Sequence, residues 1–418
     1  MRTISFVVMK KIVPISIVAV VGGFFLYPYL STDDFLSQEI VIEDSGEKVV
    51  FAGKKDLPPE DFGALLYVQS DNFFFDESGN VNYHTATHVD TPESVRGVYM
   101  TSWIAGRKDL RKNIHQQIKD NESINTVIID IKDDTGKISF PINHPLIQEL
   151  DSSEGRIQDM REFIADLHAD DIYVIGRIAV FQDPYLITKW PEEAVKKVSN
   201  PEENWVDRKN IGWMDASSER VWDYVNTIAE ESYKVGFDEI NFDYIRFPSD
   251  GNMKDVLYTM SQGKQKPEVL ESFFKYTSER LRPQGIVISA DIFGMTTVNQ
   301  DDLGIGQVLE KTIPYFDYVC PMVYPSHFPS GWANLSNPAE NPYEVIKKSM
   351  GKAVERVVAM GEDPDKLRPW LQDFDLGATY TKELVEDQID ATYELGLDSW
   401  LMWDPRNTYT ISAYRSPQ

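Results

Sequence analysis

From Arg96 onward the chain alternates apolar runs of strand length with longer segments whose apolar positions recur at helical spacing. Eight runs stand out: RGVYMTSW (96–103), NTVIIDIK (125–132), IYVIGRIAVF (172–181), EINFDYIRFP (239–248), IVISADIFG (286–294), YVCPMVY (318–324), RPWLQDF (368–374) and SWLMWDP (399–405). Amphipathic segments separate them. One puts Val221, Val225, Ile228 and Ala229 on a single face behind an N-cap at Ser217 or Ser218. Another turns Leu384, Val385, Ile389 and Tyr393 inward and stops at Gly396. Such alternation predicts βαβ units and a parallel sheet, and eight repeats of it predict an α/β fold of the (β/α)₈ (TIM) barrel type. No Gly-x-Gly-x-x-Gly or phosphate-loop motif follows any of the runs, so no nucleotide cofactor is expected.

The first residues follow a different pattern. Lys10 and Lys11 precede an uncharged apolar run over residues 12–30, and Asp33 and Asp34 follow it. That order predicts a signal peptide or single transmembrane anchor at 1–30 that places the rest outside the cytoplasm. Membrane contact then runs through this segment if it is not cleaved. Residues 31–92 are polar and irregular, with an aromatic patch YVQSDNFFF, and read as a stalk and packing extension. The barrel takes 93–418.

Composition narrows the functional classes. With 42% hydrophobic and 12% aromatic residues among 418, the chain can bury a large core. Its 67 acidic against 41 basic residues give a formal charge of −26, which opposes any role that neutralises phosphates and speaks against a nucleic-acid partner. The one cysteine, Cys320, sits in the apolar run FDYVCPMVY and reads as a core thiol.

Chemistry enters where polar residues interrupt the apolar runs near their C-terminal ends, the end at which barrels of this kind carry their sites. Asp130 and Lys132 end the second run, Arg177 interrupts the third, and Asn241 and Asp243 with Arg246 mark the fourth. Asp291 lies in the fifth, Tyr324 and His327 at the end of the sixth, Trp370, Gln372 and Asp373 in the seventh, Trp403 and Asp404 in the eighth. A carboxylate in an apolar strand costs several kcal/mol unless paired or solvated, about 2–7 kcal/mol even for a neutral polar group, so several at one end suggest a site. Trp103, Tyr244, Tyr324, Trp370 and Trp403 offer flat apolar faces suited to sugar rings.

The segment GFDEINFDYIRFP, preceded by GWMDASSERVWDYV, resembles a bacterial glycosyl hydrolase domain family assigned to the TIM-barrel glycosidases. RGVYMTSW, VIIDIKDDTGKISF, VIGRIAVFQDP, VCPMVYPSHF, PWLQDF and SWLMWDP resemble its remaining strand motifs, so the likeness spans about 96–410. It implies a barrel acting on carbohydrate. The fourth run is also similar to the chitinase-type motif at Asp238 and Asp243, but Ile245 stands where that motif has its catalytic Glu. In α-amylase-like barrels an Asp nucleophile ends strand four and an acid ends strand five, positions that Asp243 and Asp291 occupy; the usual strand-five Glu and the Arg two residues before the nucleophile are absent.

A glycosidase needs one ionised and one protonated carboxyl group. Asp243 is expected in the first role, held ionised by Arg177, Lys132 and Arg246, and Asp291 in the second, among Ile288, Ala290, Ile292 and Phe293. Asp404 and Asp130 are reserves. The expected partner is an extracellular or cell-envelope polysaccharide, and a basic patch around Arg177 and Arg246 leaves room for an anionic sugar. A non-catalytic carbohydrate-binding barrel at the cell surface is the alternative. A metal-dependent hydrolase is a third reading, prompted by His84 and His88 in HTATH and by the turn IKDDTGK, but neither has ligand spacing for zinc or calcium, and no metal is expected.

Overall fold

The computed structural model describes residues 86–417 together with five short strands nearer the N-terminus. The chain divides into two compact units, Met1–Ala86 and Thr87–Gln418. In the first, Ile40–Asp44 pairs antiparallel with Glu47–Phe51, and Val81–Tyr83 pairs with Thr3–Ile4 and Phe73–Phe75. The stretch expected to be irregular therefore contains strand pairing. The apolar run at 12–30 lies outside the described residues, as does His84; among the described residues no helix is long and apolar enough to cross a membrane.

In the second unit eight strands close into a parallel barrel: β1 (Arg96–Met100), β2 (Thr126–Lys132), β3 (Tyr173–Ala179), β4 (Glu239–Asp243), β5 (Val287–Phe293), β6 (Tyr318–Met322), β7 (Trp370–Gln372) and β8 (Trp400–Trp403). Each lies within one of the eight apolar runs, and several are shorter than the run. After β1, Thr101 caps a helical turn at Ser102–Ala105, its hydroxyl accepting from the Ile104 amide at 3.2 Å. After β4, Tyr244 takes φ 54°, in the left-handed region that bulky residues avoid, and the chain leaves the sheet.

Seven helices of the outer layer follow the strands: α1 (Lys108–Lys119), α2 (Met160–His168), α3 (Glu219–Val235), α4 (Lys266–Leu281), α5 (Leu309–Thr312), α6 (Pro342–Ala359) and α7 (Lys382–Tyr393). Ser218 is the N-cap of α3, accepting from the Val221 amide at 3.1 Å, and Gly236 ends it at φ 128°. Val221, Val225, Ile228 and Ala229 are fully buried, each such Val or Ile contributing roughly 1.5–3 kcal/mol of burial energy. The repeat is incomplete at two points. The fifth helix is a single turn, and after β8 a 3₁₀ turn at Ile411–Ala413 stands where an eighth helix was expected.

Two cores follow from the strand alternation. Outward residues such as Ile129, Ile178, Phe242 and Ile292 pack with the helices, while Ile128, Ile175, Cys320 and Leu401 fill the barrel. One irregularity matters for the site. The β2–β3 register shifts between Asp130 and Lys132, and Lys132 pairs with the outward-facing Ile178. A bulge of this kind moves a side chain to the other face of its sheet.

Candidate active site

Inward positions of β2, β3, β4 and β5 bring Asp130, Arg177, Asn241, Asp243 and Asp291 together. Arg177 joins the carboxylates: Nη1 donates to Asp130 Oδ1 at 2.9 Å, Nη2 donates to Asp243 Oδ2, and Nε lies 3.8 Å from Asp291 Oδ2. All five residues are nine-tenths or more buried. The other Asp243 oxygen accepts from the Tyr244 amide at 2.5 Å, which ties the carboxylate to the strained turn. Asp130 also accepts from the Tyr99 hydroxyl.

Asp291 is held differently. Its Oδ1 accepts from Asn241 Nδ2 at 2.9 Å and from the Trp370 indole at 2.7 Å. Burial drives its carboxyl up to about 8, and the charge of Asp243 adds to the rise, outweighing the opposite pull of Arg177, Asn241 and Trp370. Asp130 is also raised by burial, with Arg177 and Tyr99 opposing. One guanidinium thus serves three carboxylates, one of which favours its protonated form near neutrality.

Two aromatic groups lie close to the ionic cluster. In one, Trp403 stacks on Tyr99, with ring centroids 4.0 Å apart and planes 15° apart, and Arg177 lies 5.3 Å from the Trp403 ring. Tyr324, Phe374 and His327 extend this group. In the other, Arg246 lies against Trp213, Phe293 and Tyr244 at 4.7, 4.6 and 5.4 Å.

Several expected site residues have other work. Lys132 is fully buried, paired with Asp183 at 2.7 Å and donating to the Ala179 carbonyl at 2.6 Å, because the bulge turns it out of the barrel; it does not support Asp243. Arg246 makes no ion pair with Asp243 either; its Nη1 donates to the Phe247 carbonyl and to Ser249 Oγ. Asp404 accepts from the Arg406 amide at 2.6 Å and shapes the turn after β8, without a contact to Arg177 or Asp243. Gln372 ties two loops, accepting from the Ser326 amide and donating to the Phe374 carbonyl. Trp370 is fully buried, so its ring is a support for Asp291 and not a platform for sugar. Asp373 accepts from Thr410 and Tyr414. At the opposite end of the barrel Asp238 holds His168 at 2.9 Å and His88 at 3.5 Å, and His88 stacks on Tyr233. Asp133 and Gly136 form a turn, with Gly136 at φ 80° donating to the Asp133 carbonyl, and Asp133 pairs with Arg156. Ile245, in the chitinase-type Glu position, is buried in the outer core.

The profile of the family described as "Putative glycosyl hydrolase domain" matches residues 97–409. The chain belongs to this family. No curated protein matches it. Among solved structures, a hypothetical protein from Ruminiclostridium thermocellum is 34% identical over 50% of this chain and 98% of its own, with a TM-score of 0.43. The PgaB (BpsB) glycoside hydrolase domain from Bordetella bronchiseptica is 14% identical over 75% of this chain and 94% of its own, with a TM-score of 0.53. Alpha-L-fucosidase isoenzyme 2 from Paenibacillus thiaminolyticus is 13% identical over 77% and 48%, with a TM-score of 0.52. The latter two likenesses show a shared fold.

Two side chains of this glycosyl hydrolase domain were not evident in the sequence as site residues. Tyr99 stands among the apolar positions of RGVYM, and the signal it carries is its place on the inward parity of β1. Trp213 comes from the long β3–α3 connection, where no periodic pattern announces which face of the loop turns towards the barrel mouth.

Proposed function

We propose that the barrel hydrolyses glycosidic bonds, with Asp243 as the ionised carboxylate that attacks the sugar or activates water, and Asp291 as the carboxyl group that carries the proton. The observation behind this reading is the unequal sharing of Arg177. Asp243 receives a direct guanidinium bond, whereas Asp291 lies 3.8 Å from it under burial that favours the neutral form. Two carboxyl groups with opposed protonation are what glycoside hydrolysis requires. Asp291 Oδ1 is occupied by two donors, so its proton belongs on Oδ2, the oxygen facing Arg177.

The half-buried Trp403 ring, backed by the buried Tyr99, supports a carbohydrate substrate, since an aromatic ring offers an apolar face to a sugar. The basic, apolar, acidic order of the first 34 residues supports an extracytoplasmic polysaccharide as the target. Product release from envelope and extracellular polysaccharides tests the reading. Asp243→Asn is expected to abolish turnover while retaining fold and binding, and Asp291→Asn to lower kcat by about 10²–10⁴-fold. Polysaccharide binding by the wild type without product would instead establish a non-catalytic binding barrel.

A further inference from the structure

Five arginines in the described barrel unit are nine-tenths or more buried: Arg111, Arg177, Arg246, Arg356 and Arg368. Four have a carboxylate within ion-pair distance, namely Asp159 for Arg111, Asp130 and Asp243 for Arg177, Glu310 for Arg356 and Glu239 for Arg368. Arg246 has none among the described residues. In a chain with 67 acidic residues, scarcity of acids does not explain the exception. Asp243, Asp250 and Asp207 act on it only from beyond ion-pair distance; a buried guanidinium without a direct counter-ion is costly, and such a cost persists where a ligand completes the pair.

Its geometry fits that reading. The aromatic rings of Trp213, Phe293 and Tyr244 surround the group, and Nη1 is anchored on the Phe247 carbonyl and Ser249 Oγ at 3.1 and 3.2 Å. Nε and Nη2 donate to no described residue, yet neither is sealed from solvent. Two parallel N–H groups left free present the fork that a carboxylate accepts. The position is tied to the chemistry, because Arg246 follows Asp243 by three residues and Phe293 follows Asp291 by two. On the same side, Ser249 also lines a cavity of about 370 Å³ with Tyr258 and Lys266. Lys266 reaches it too, its ammonium donating to the Gly304 carbonyl and lying 5.2 and 5.5 Å from the Phe247 and Tyr258 rings, with no ion-pair partner among the described residues.

We propose that Arg246 is an anion subsite that takes a carboxylate carried by the sugar beside Asp243, and that the substrate is accordingly an acidic glycan whose chain continues towards Lys266. This rests on the hydrolase reading only for the place of the sugar; the anion site is tested by binding alone. The formal charge of −26 does not oppose it, since the subsite is a local, largely buried cation whose free N–H groups still reach solvent.

Two sources share the chemistry, a uronic acid with its carboxylate on the ring and a lactyl ether as in N-acetylmuramic acid. The full chain is titrated with methyl glucuronoside, methyl galacturonoside and N-acetylmuramic acid, each beside its neutral counterpart: methyl glucoside, methyl galactoside and N-acetylglucosamine. At least one acid is expected to bind tenfold or more tighter than its neutral partner, and which pair shows the gap identifies the source. The gap should narrow with added salt, vanish in Arg246→Gln and persist in part in Arg246→Lys, which preserves the charge if the glutamine variant fails to fold. Equal binding of every acidic and neutral pair, or an undiminished gap in a folded Arg246→Gln, overturns the proposal. Loss of turnover plays no part in the readout, so an inactive barrel that discriminates acids would sink the hydrolase reading and leave this one standing.

Discussion

The indole of Trp370 donates to Asp291 Oδ1 at 2.7 Å, so a residue on β7 helps set which carboxyl group of the site holds a proton. Removing that donor disfavours the ionised form. With Asp291 as the proton donor, kcat/KM is expected to fall along an alkaline limb near pH 8. Trp370→Phe should shift this limb to higher pH, as read from pH–rate profiles; a limb that stays or moves down removes Trp370 from this role. Stability has a definite sign as well. Between the ordinary Asp value of 3.8 and about 8, the native state holds a proton that the unfolded chain has released. This contribution is therefore fully present below the unfolded value and is lost as pH rises towards 8.

Arg177 neutralises charge on β2 and β4 together. Arg177→Gln leaves Asp130 and Asp243 buried without their shared cation, and the expected cost is about 3–5 kcal/mol in denaturant titration. Arg177→Lys should recover only part of it, because an ammonium cannot reproduce two separated N–H donors. Full stability in the lysine variant would show that charge alone, and not the fork, holds the site together.

Lys132 and Asp183 form a pair with neither side chain exposed, outside the barrel interior. Lys132→Met is expected to cost about 3–5 kcal/mol, and Lys132→Met/Asp183→Asn to recover part of that by removing the stranded charge. The folded fraction should keep its kcat/KM. A large loss of kcat/KM in fully folded Lys132→Met would return the lysine to the site.

The same residue shows what can be read from the sequence and what cannot. Period-two alternation places Asp130, Arg177, Asn241, Asp243 and Asp291 on inward faces near the strand ends, so their convergence follows from pattern and fold alone. Lys132 shares that parity with Asp130, and only the β-bulge between them reverses it. No residue in VIIDIK marks a bulge, since the shift is set by pairing with β3. Asp404 is ambiguous for a similar reason: an Asp after the last strand residue serves a site or a turn equally well, and here its carboxylate accepts from the Arg406 amide of the turn. Trp213 lay in a loop, where neither period constrains direction.

Asp238 makes a prediction at the other end of β4. Burial would raise its carboxyl, but hydrogen bonds from His168 and His88 with the Val174 amide outweigh that and hold it below the usual carboxylate range. A lowered folded value means the stabilisation is present above the unfolded value of about 4 and is lost as pH falls through the folded one. Asp238→Asn is therefore expected to destabilise the protein by about 1–3 kcal/mol at pH 7. The difference from wild type should shrink in acid. The Val89 amide also donates to this carboxylate at 2.8 Å, so the variant should loosen the segment leading into β1 and raise amide exchange at Val89 and Val174. An equal destabilisation at pH 3 and pH 7 would mean that packing, and not the charge of Asp238, holds this end of the barrel.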